Sequence, residues 1–216
     1  ILYALFTARL GWWGGLLRQP ASLSRSWWMW IPFVLILGWN AMRFAAADYS
    51  QFSAGSIAMI LVLGLMIGFA EELATRGLAV VLLRRAGFKE IWVAVLSSAI
   101  FAARHLVNAA SMDGLTVGIT VVYTFFFGIC MYLTLRAGRS IVWPMLLHAT
   151  TDPSGMLMQG GIDTTTDAAA ASGLAAVAGL ENYVVILLGL VLVWCIRGQV
   201  DRVRECGLGE PATAHD

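Results

Sequence analysis

Six apolar stretches, each about as long as a membrane-crossing helix, constrain this chain more than any other feature. A spanning helix needs about 20 predominantly apolar residues. Hydrophobic residues make up 59% of the 216-residue chain and charged residues 12%, whereas soluble domains contain about 45–50% and about 25%. The sequence therefore predicts an all-α, polytopic helical membrane bundle with six transmembrane helices, over residues 27–47, 54–83, 91–108, 115–137, 140–159 and 174–196.

The parts outside and between these helices are assigned by composition. Residues 1–26 are expected to be an apolar N-terminal segment that either lies in the membrane interface or belongs to a further span. It does not fit a signal peptide, because Arg9 interrupts its apolar run and no small-residue cleavage site follows. Residues 27–196 form the predicted transmembrane domain, and residues 197–216 a cytoplasmic tail. The second helix exceeds a straight crossing, so it is expected to tilt, bend near Gly77 or end in an interfacial turn.

Basic residues fall on alternate connections between the predicted helices. By the positive-inside rule, this places both ends of the six-helix bundle in the cytoplasm. The excess of Arg over Lys favours a bacterial source and thus the plasma (inner) membrane, and the net charge of +1 gives no indication of a nucleic-acid partner. Ten of the 14 basic residues lie on the cytoplasmic side: Arg18, Arg25, Arg84, Arg85, Lys89, Arg136, Arg139, Arg197, Arg202 and Arg204.

Ionisable residues inside the predicted helices are the candidate functional groups. Each costs about 2.5–3.5 kcal/mol near a helix centre on insertion scales, so such residues are retained where they face a protein or water-filled interior. At about 1.5 Å per residue, four of them lie roughly 14–24 Å from the cytoplasmic margin, which predicts that they meet at similar depth. The four are Glu71 on the second helix, His105 on the third, and His148 and Asp152 on the fifth.

Spacing along the second and fifth helices predicts how these groups pair. Glu72 and Arg76 are four residues apart and are expected to form an ion pair on one helix face. Glu71 lies about 100° away around the helix. It is therefore expected to be unpaired and suited to act as a general base near neutral pH. His148 and Asp152, also four apart, are expected to enter the cavity together.

The sequence also predicts roles for two residues that neighbour these groups. Arg104 precedes His105 and is expected to be a counter-ion or to reach the outer surface. Pro153 follows Asp152 and lacks an amide hydrogen, so a kink is expected beside the site.

Three short motifs on successive apolar helices resemble those of the CPBP family of CAAX proteases and bacteriocin-processing enzymes, also called the ABI family, which includes the Ras-converting endoprotease. Residues 71–77 match EExxxRG, residues 101–105 match FxxxH, and residues 148–152 match HxxxN/D. Each motif alone is weak, but the ordered triple is specific. The resemblance covers roughly residues 54–159.

The resemblance implies an intramembrane endopeptidase and a role for each matched residue. Glu71 would activate water, His105 would help to hold that water, and His148 with Asp152 would stabilise the oxyanion. Many relatives have Asn at the last position. Because an ionised Asp cannot donate a hydrogen bond, Asp152 must be protonated there, orient His148 or bind another group.

The same family pattern assigns a supporting role to Glu72 and Arg76, which would brace the first motif. Two His and a carboxylate can also bind catalytic zinc, in which case the ligands would be Glu71, His105 and His148. HExxH is absent from the sequence, so a metal-independent, glutamate-type hydrolase with no cofactor is favoured and a zinc metalloprotease is the alternative.

The expected substrate is a membrane-anchored peptide or protein, with membrane lipid as the surroundings. Two other functions remain open from the sequence. A proton-coupled transporter would use the buried Glu, His and Asp as a proton relay. A catalytically idle family member would instead act as a subunit with a membrane-protein partner.

Overall fold

Helices account for the regular secondary structure of the computed structural model, which describes residues 2–20, 22–161 and 173–201. No β-strand occurs in these ranges, and the predicted all-α membrane bundle is confirmed. Five helical segments in the described chain are long and apolar enough to cross a membrane: Trp27–Ala46, Ala54–Arg85, Glu90–Ala110, Gly114–Gly138 and Ala176–Cys195.

The described residues form ten α-helices. In chain order they are α1 (Leu2–Arg9), α2 (Trp13–Leu17), α3 (Ile31–Ala46), α4 (Ala54–Glu72), α5 (Val80–Arg85), α6 (Glu90–Arg104), α7 (Gly114–Gly138), α8 (Val142–Met158), α9 (Gly173–Ala178) and α10 (Glu181–Leu192). A π-helical segment joins α4 to α5 (Leu73–Ala79), and 3₁₀ turns precede α3 (Trp27–Trp30), extend α6 (His105–Ala110) and extend α10 (Val193–Cys195).

Two predicted spans take a different form from the sequence expectation. The fifth is α8, whose 17 residues include Pro153 within the helix and end at Met158. Because α8 is not among the five long apolar segments, a sixth span stays a prediction. The last span is interrupted after Ala178, and α10 begins again at Glu181.

Two glycines bring α8 against α4. Gly64 and Gly68 are four residues apart on α4, and both face α8. A Cβ atom on Gly68 would lie 2.6 Å from the amide nitrogen of Ala149, and one on Gly64 would lie 2.8 Å from the Ala149 carbonyl oxygen. Small residues at this spacing allow two membrane helices to approach closely. This glycine-mediated contact between α4 and α8, called the seam below, therefore sets the distance between the first and third motifs.

Basic connections gather at one end of the bundle. Arg84 contacts Glu90 through two hydrogen bonds of 2.9 and 2.8 Å, and Arg136 reaches the same carboxylate at 3.3 Å. Tyr132 also donates its hydroxyl to Glu90. Arg139 donates to the carbonyl oxygen of Pro20 at 3.2 Å. We call this the arginine-rich end; its cytoplasmic orientation stays a prediction.

The N-terminal segment packs onto that end. Leu16 is fully buried, and its carbonyl oxygen accepts a hydrogen bond of 3.1 Å from the amide of Ile141. The amide of Gln19 donates to the Arg139 carbonyl at 2.9 Å. With eight and five residues, α1 and α2 are each shorter than a membrane span. Their position in the membrane interface stays a prediction.

Candidate active site

The first motif lies where the helix changes pitch. Glu71 and Glu72 end α4, and the rest of the motif falls in the π-helical segment Leu73–Ala79. Thr75 donates its hydroxyl to the carbonyl oxygen of Glu71 at 2.7 Å, and Arg76 donates to the Thr75 hydroxyl at 2.6 Å. Such π-helical turns are rare and occur frequently at functional sites. The segment includes Gly77, where a bend was one of the three forms expected for this long helix.

Glu72 links the first motif to the third. Its Oε1 atom accepts from Arg76 Nη1 at 3.2 Å, which is the expected ion pair, and contacts His148 Nδ1 at 2.9 Å. All three side chains are buried. An ionised carboxylate only accepts hydrogen bonds, so Nδ1 of His148 is the donor. This contact fixes the orientation of the His148 ring.

Glu71 is paired, contrary to the expectation from helix spacing. Arg104 Nη2 lies 3.1 Å from Glu71 Oε1. The partner comes from α6, and the register between two helices is not contained in the spacing along one of them. The Arg104 side chain is 40% exposed and that of Glu71 19%. Arg104 is therefore the counter-ion of Glu71, one of the two roles expected for it.

The Nε2 side of the His148 ring, opposite the contact with Glu72, faces two carboxylates. Its Nε2 atom is 3.9 Å from Glu71 Oε2 and 3.8 Å from Asp152 Oδ2. Glu71, His148 and Asp152 thus converge as expected, and both carboxylate side chains keep part of their surface open at 19% and 30%.

His105 lies beside this group without bonding to it. Its Nδ1 atom is 3.1 Å from the carbonyl oxygen of Phe101. Because a carbonyl only accepts, Nδ1 carries the proton and Nε2 is available as an acceptor in the neutral ring. In the part of the chain that the structure describes, His105 makes no hydrogen bond or ion pair with Glu71.

Aromatic rings pack against the residues of the candidate site. The Phe101 ring is 5.0 Å from the ring of His105 and 5.7 Å from that of His148. The guanidinium carbon of Arg76 lies 4.6 Å from the centre of the same ring. Phe127 is buried and lies 5.3 Å from the His148 ring.

Other supporting residues did not stand out as functional in the sequence. The Asn40 side chain donates to the hydroxyls of Thr150 and Thr151 at 2.9 and 3.0 Å, which ties α3 to α8. A Cβ atom on Gly128 would lie 2.8 Å from Arg76 Nη2, so α7 approaches the buried arginine closely. An Asn inside an apolar span and glycines at helix-contact spacing are the signals that would have indicated these roles.

A cavity of about 870 Å³ adjoins Asp152 at the end of the bundle away from the arginine-rich end. Arg43, Asn108 and Tyr123 line other parts of it. Arg43 is paired with the fully buried Glu181 at 2.7 Å. Of the four candidate catalytic residues, Asp152 lines this cavity, whereas Glu71, His105 and His148 are not among its lining residues.

The zinc alternative needs three donors that converge on one point. Among the described residues, no group of three or more His, Cys, Asp and Glu side chains is arranged to hold a metal ion. Glu71, His105 and His148 therefore do not fit a zinc ion in this arrangement.

Comparison with protein families finds a match in the central part of the chain. Residues 53–153 match the family described as type II CAAX prenyl endopeptidase Rce1-like. The match contains all three motifs, and it agrees with the CPBP family that those motifs resemble. No curated protein and no solved structure matches the chain.

Proposed function

We propose that this chain, which carries a Rce1-like CAAX endopeptidase domain over residues 53–153, is an intramembrane endopeptidase. Its substrate would be a membrane-associated peptide or protein. The observation that carries the proposal is the position of His148, whose ring bonds to Glu72 on one side and faces Glu71 and Asp152 on the other.

Glu71 is the proposed general base. Its Oε1 atom is held by Arg104, while Oε2 is turned toward His148 Nε2. A water molecule between them would lose a proton to Oε2 as its oxygen forms a bond to the peptide carbonyl carbon. When the carbon–nitrogen bond then breaks, the same proton passes from Glu71 to the departing amine.

The two histidines have different proposed tasks. His105 Nε2 can accept a hydrogen bond from the attacking water, because its Nδ1 proton is directed to the Phe101 carbonyl. A protonated His148 would donate from Nε2 to the oxyanion while Nδ1 donates to Glu72. Glu72 and Arg76 brace this ring through buried contacts and do not touch the reacting atoms.

Asp152 supports the oxyanion side of the site. Its Oδ2 atom is 3.8 Å from His148 Nε2, and it also lines the 870 Å³ cavity. In the ionised form it would orient the His148 ring, and in the protonated form it would donate to the oxyanion directly. The cavity volume lies within the range of about 300–1,000 Å³ typical of ligand sites, which is consistent with the entry of a peptide segment.

Cleavage by the purified full chain in proteoliposomes tests the proposal. The probes are a panel of synthetic single-span peptides and a prenylated CAAX peptide, with products identified by mass spectrometry. We expect cleavage by the wild type, loss of at least about 100-fold in Glu71→Gln and His148→Ala, and unchanged cleavage in Asp48→Asn, an exposed carboxylate outside the helices.

A chelator arm distinguishes the catalytic type. Cleavage that persists with a strong chelator supports a glutamate-type hydrolase without a cofactor. Loss on chelation with recovery on adding zinc would instead support the metalloprotease alternative. Wild-type rates in Glu71→Gln would reject Glu71 as the base.

The proximity of Glu71, His148 and Asp152 also suits a proton relay, which keeps the transporter as the second candidate. It predicts proton movement across the proteoliposome membrane that Glu71→Gln abolishes, with no cut peptide. An idle subunit predicts neither activity and stable co-purification with a membrane protein.

A further inference from the structure

A second cavity, of about 310 Å³, lies at the arginine-rich end between α2 and α5. Three arginines line it, namely Arg18, Arg84 and Arg85, together with the ring of Trp12. No residue of the candidate active site lines this cavity. It is therefore a separate feature for which the proposed peptidase has no use.

Arg85 is held in place with part of its hydrogen-bonding capacity unused. Its guanidinium carbon lies 4.5 Å from the centre of the Trp12 ring, which is a cation–π contact. Its Nε atom is buried, and it has no hydrogen-bond partner among the residues that the structure describes. Arg85 lines the cavity, so its guanidinium can present its terminal amino groups to an acceptor that binds there.

The charges around the cavity are unequal. Arg84 and Arg136 share the single carboxylate of Glu90, and Arg18 and Arg85 add two further positive charges on the cavity wall. Asp201, which follows the lining residue Val200, is the nearest acid along that segment. Within the described ranges, three arginines and no carboxylate line the cavity, and Glu90 pairs with one of the three, Arg84. The cavity wall is therefore positive and suits an anion.

The surroundings indicate where that anion comes from. Beside the cavity, α1 exposes Leu2, Leu5 and Phe6, with 83%, 61% and 53% of their surface accessible. An exposed apolar helix next to Trp and Arg residues is typical of a segment at the level of lipid headgroups. A guanidinium group also matches phosphate oxygens in a two-point fork.

We infer that this cavity binds the phosphate group of an anionic phospholipid, with Arg85 and Arg18 as its ligands. The acyl chains would lie along the exposed apolar side of α1. A basic pocket between membrane helices is a known way to hold such a headgroup. Bound lipid would join α2 to α5 and so stabilise the folded chain.

Thermal unfolding of the detergent-purified full chain tests this inference. The probes are short-chain phosphatidylglycerol, short-chain phosphatidylcholine and inorganic phosphate at matched concentrations. We expect phosphatidylglycerol to raise Tm in a concentration-dependent way and the other two to leave it unchanged. Removing each arginine should raise the half-saturating lipid concentration about fivefold, so the double variant Arg18→Gln with Arg85→Gln should need roughly 25 times more lipid.

Arg25→Gln is the matched control, since Arg25 is an exposed basic residue of the same region that does not line the cavity. It should respond as the wild type does. Equal shifts with phosphatidylcholine, or an unchanged half-saturating concentration in the double variant, would overturn the inference. An equal shift with inorganic phosphate would overturn the lipid as the source.

If the double variant does not fold, Arg85→Lys replaces it. That change keeps the charge but removes the fork and most of the stacking on Trp12. We expect an intermediate half-saturating concentration, whereas a wild-type value would contradict the role of Arg85.

Discussion

His148 on α8 donates through Nδ1 to Glu72 on α4, across 2.9 Å, while Glu71, the next residue in the chain, lies on the opposite side of the same ring. Two adjacent carboxylates therefore contact one imidazole from two directions. One of them is fully buried and the other is partly open. This division separates a structural role from a chemical one, and it can be tested.

Glu72→Gln and Glu71→Gln should fail in different ways. Glu72→Gln leaves the buried Arg76 without its carboxylate, and loss of one partner of a buried pair costs about 3–5 kcal/mol. Glu71→Gln breaks a partly exposed contact with Arg104 and should cost about 1 kcal/mol or less. Thermal unfolding in detergent measures the stability of both variants. Peptide cleavage measures the loss of the proposed general base in Glu71→Gln. Equal destabilisation by the two changes would contradict the assignment.

Gly68→Ala should separate the two helices that carry the first and third motifs. The new Cβ would lie 2.6 Å from the Ala149 amide nitrogen and 2.9 Å from the Met145 carbonyl oxygen. Overpacking of this kind costs about 1–3 kcal/mol, and cleavage should fall as His148 moves with α8. Gly118→Ala is the control, because a Cβ there meets no atom within 4 Å. It should leave Tm unchanged or slightly raised, and an equal loss in both variants would argue against the seam.

Asp152→Asn and Asp152→Leu should differ in cleavage. Asparagine keeps a polar group beside His148 Nε2 and can donate to an oxyanion, so activity should stay within about tenfold of wild type. Leucine removes every hydrogen bond and should lower kcat about 100-fold or more. Single-turnover cleavage rates of the two variants on the same peptide measure this difference. A fully active leucine variant would remove Asp152 from the mechanism.

Asp113 should make the start of α7 sensitive to acid. Its carboxylate accepts from the Thr116 side chain and from the backbone amides of Thr116 and Leu115, which lowers its pKa below the ordinary value of 3.8. A lowered pKa in the folded state gives stability that is present above the ordinary value and lost as pH falls through the lowered one.

Hydrogen exchange at the first turn of α7, measured as a function of pH, checks this prediction. Protection in the wild type should fall below about pH 4. Asp113→Asn is the matched control, because an asparagine caps a helix without titrating. The same loss of protection in that variant would show that Asp113 is not the titrating group.

The fold was predictable because apolar run length is a local property. Each predicted membrane helix has a helical counterpart within a few residues, as with residues 115–137 and the observed Gly114–Gly138. The break before Glu181 was not predicted. Glu181 is fully buried and paired with Arg43 on α3, and such a contact between helices is not contained in the spacing along one of them.

The candidate site was predictable only in part. The spacing of Glu72 and Arg76 was enough to predict their ion pair, and similar depth was enough to predict that Glu71, His148 and Asp152 converge. Contacts that depend on the rotation of one helix against another could not be derived. Arg104 as partner of Glu71 is one of these.

The π-helical segment Leu73–Ala79 lies between the two carboxylates of the first motif and the arginines of α5. A π-helical turn contains one residue more than an α-helical turn. Loss of one amino acid there would therefore return the segment to α-helical winding, while Arg84 and Arg85 keep their rotation relative to Glu71. The surplus residue instead sets the local contacts of Thr75 and Arg76, so a one-codon deletion should harm the candidate site more than the arginine-rich end.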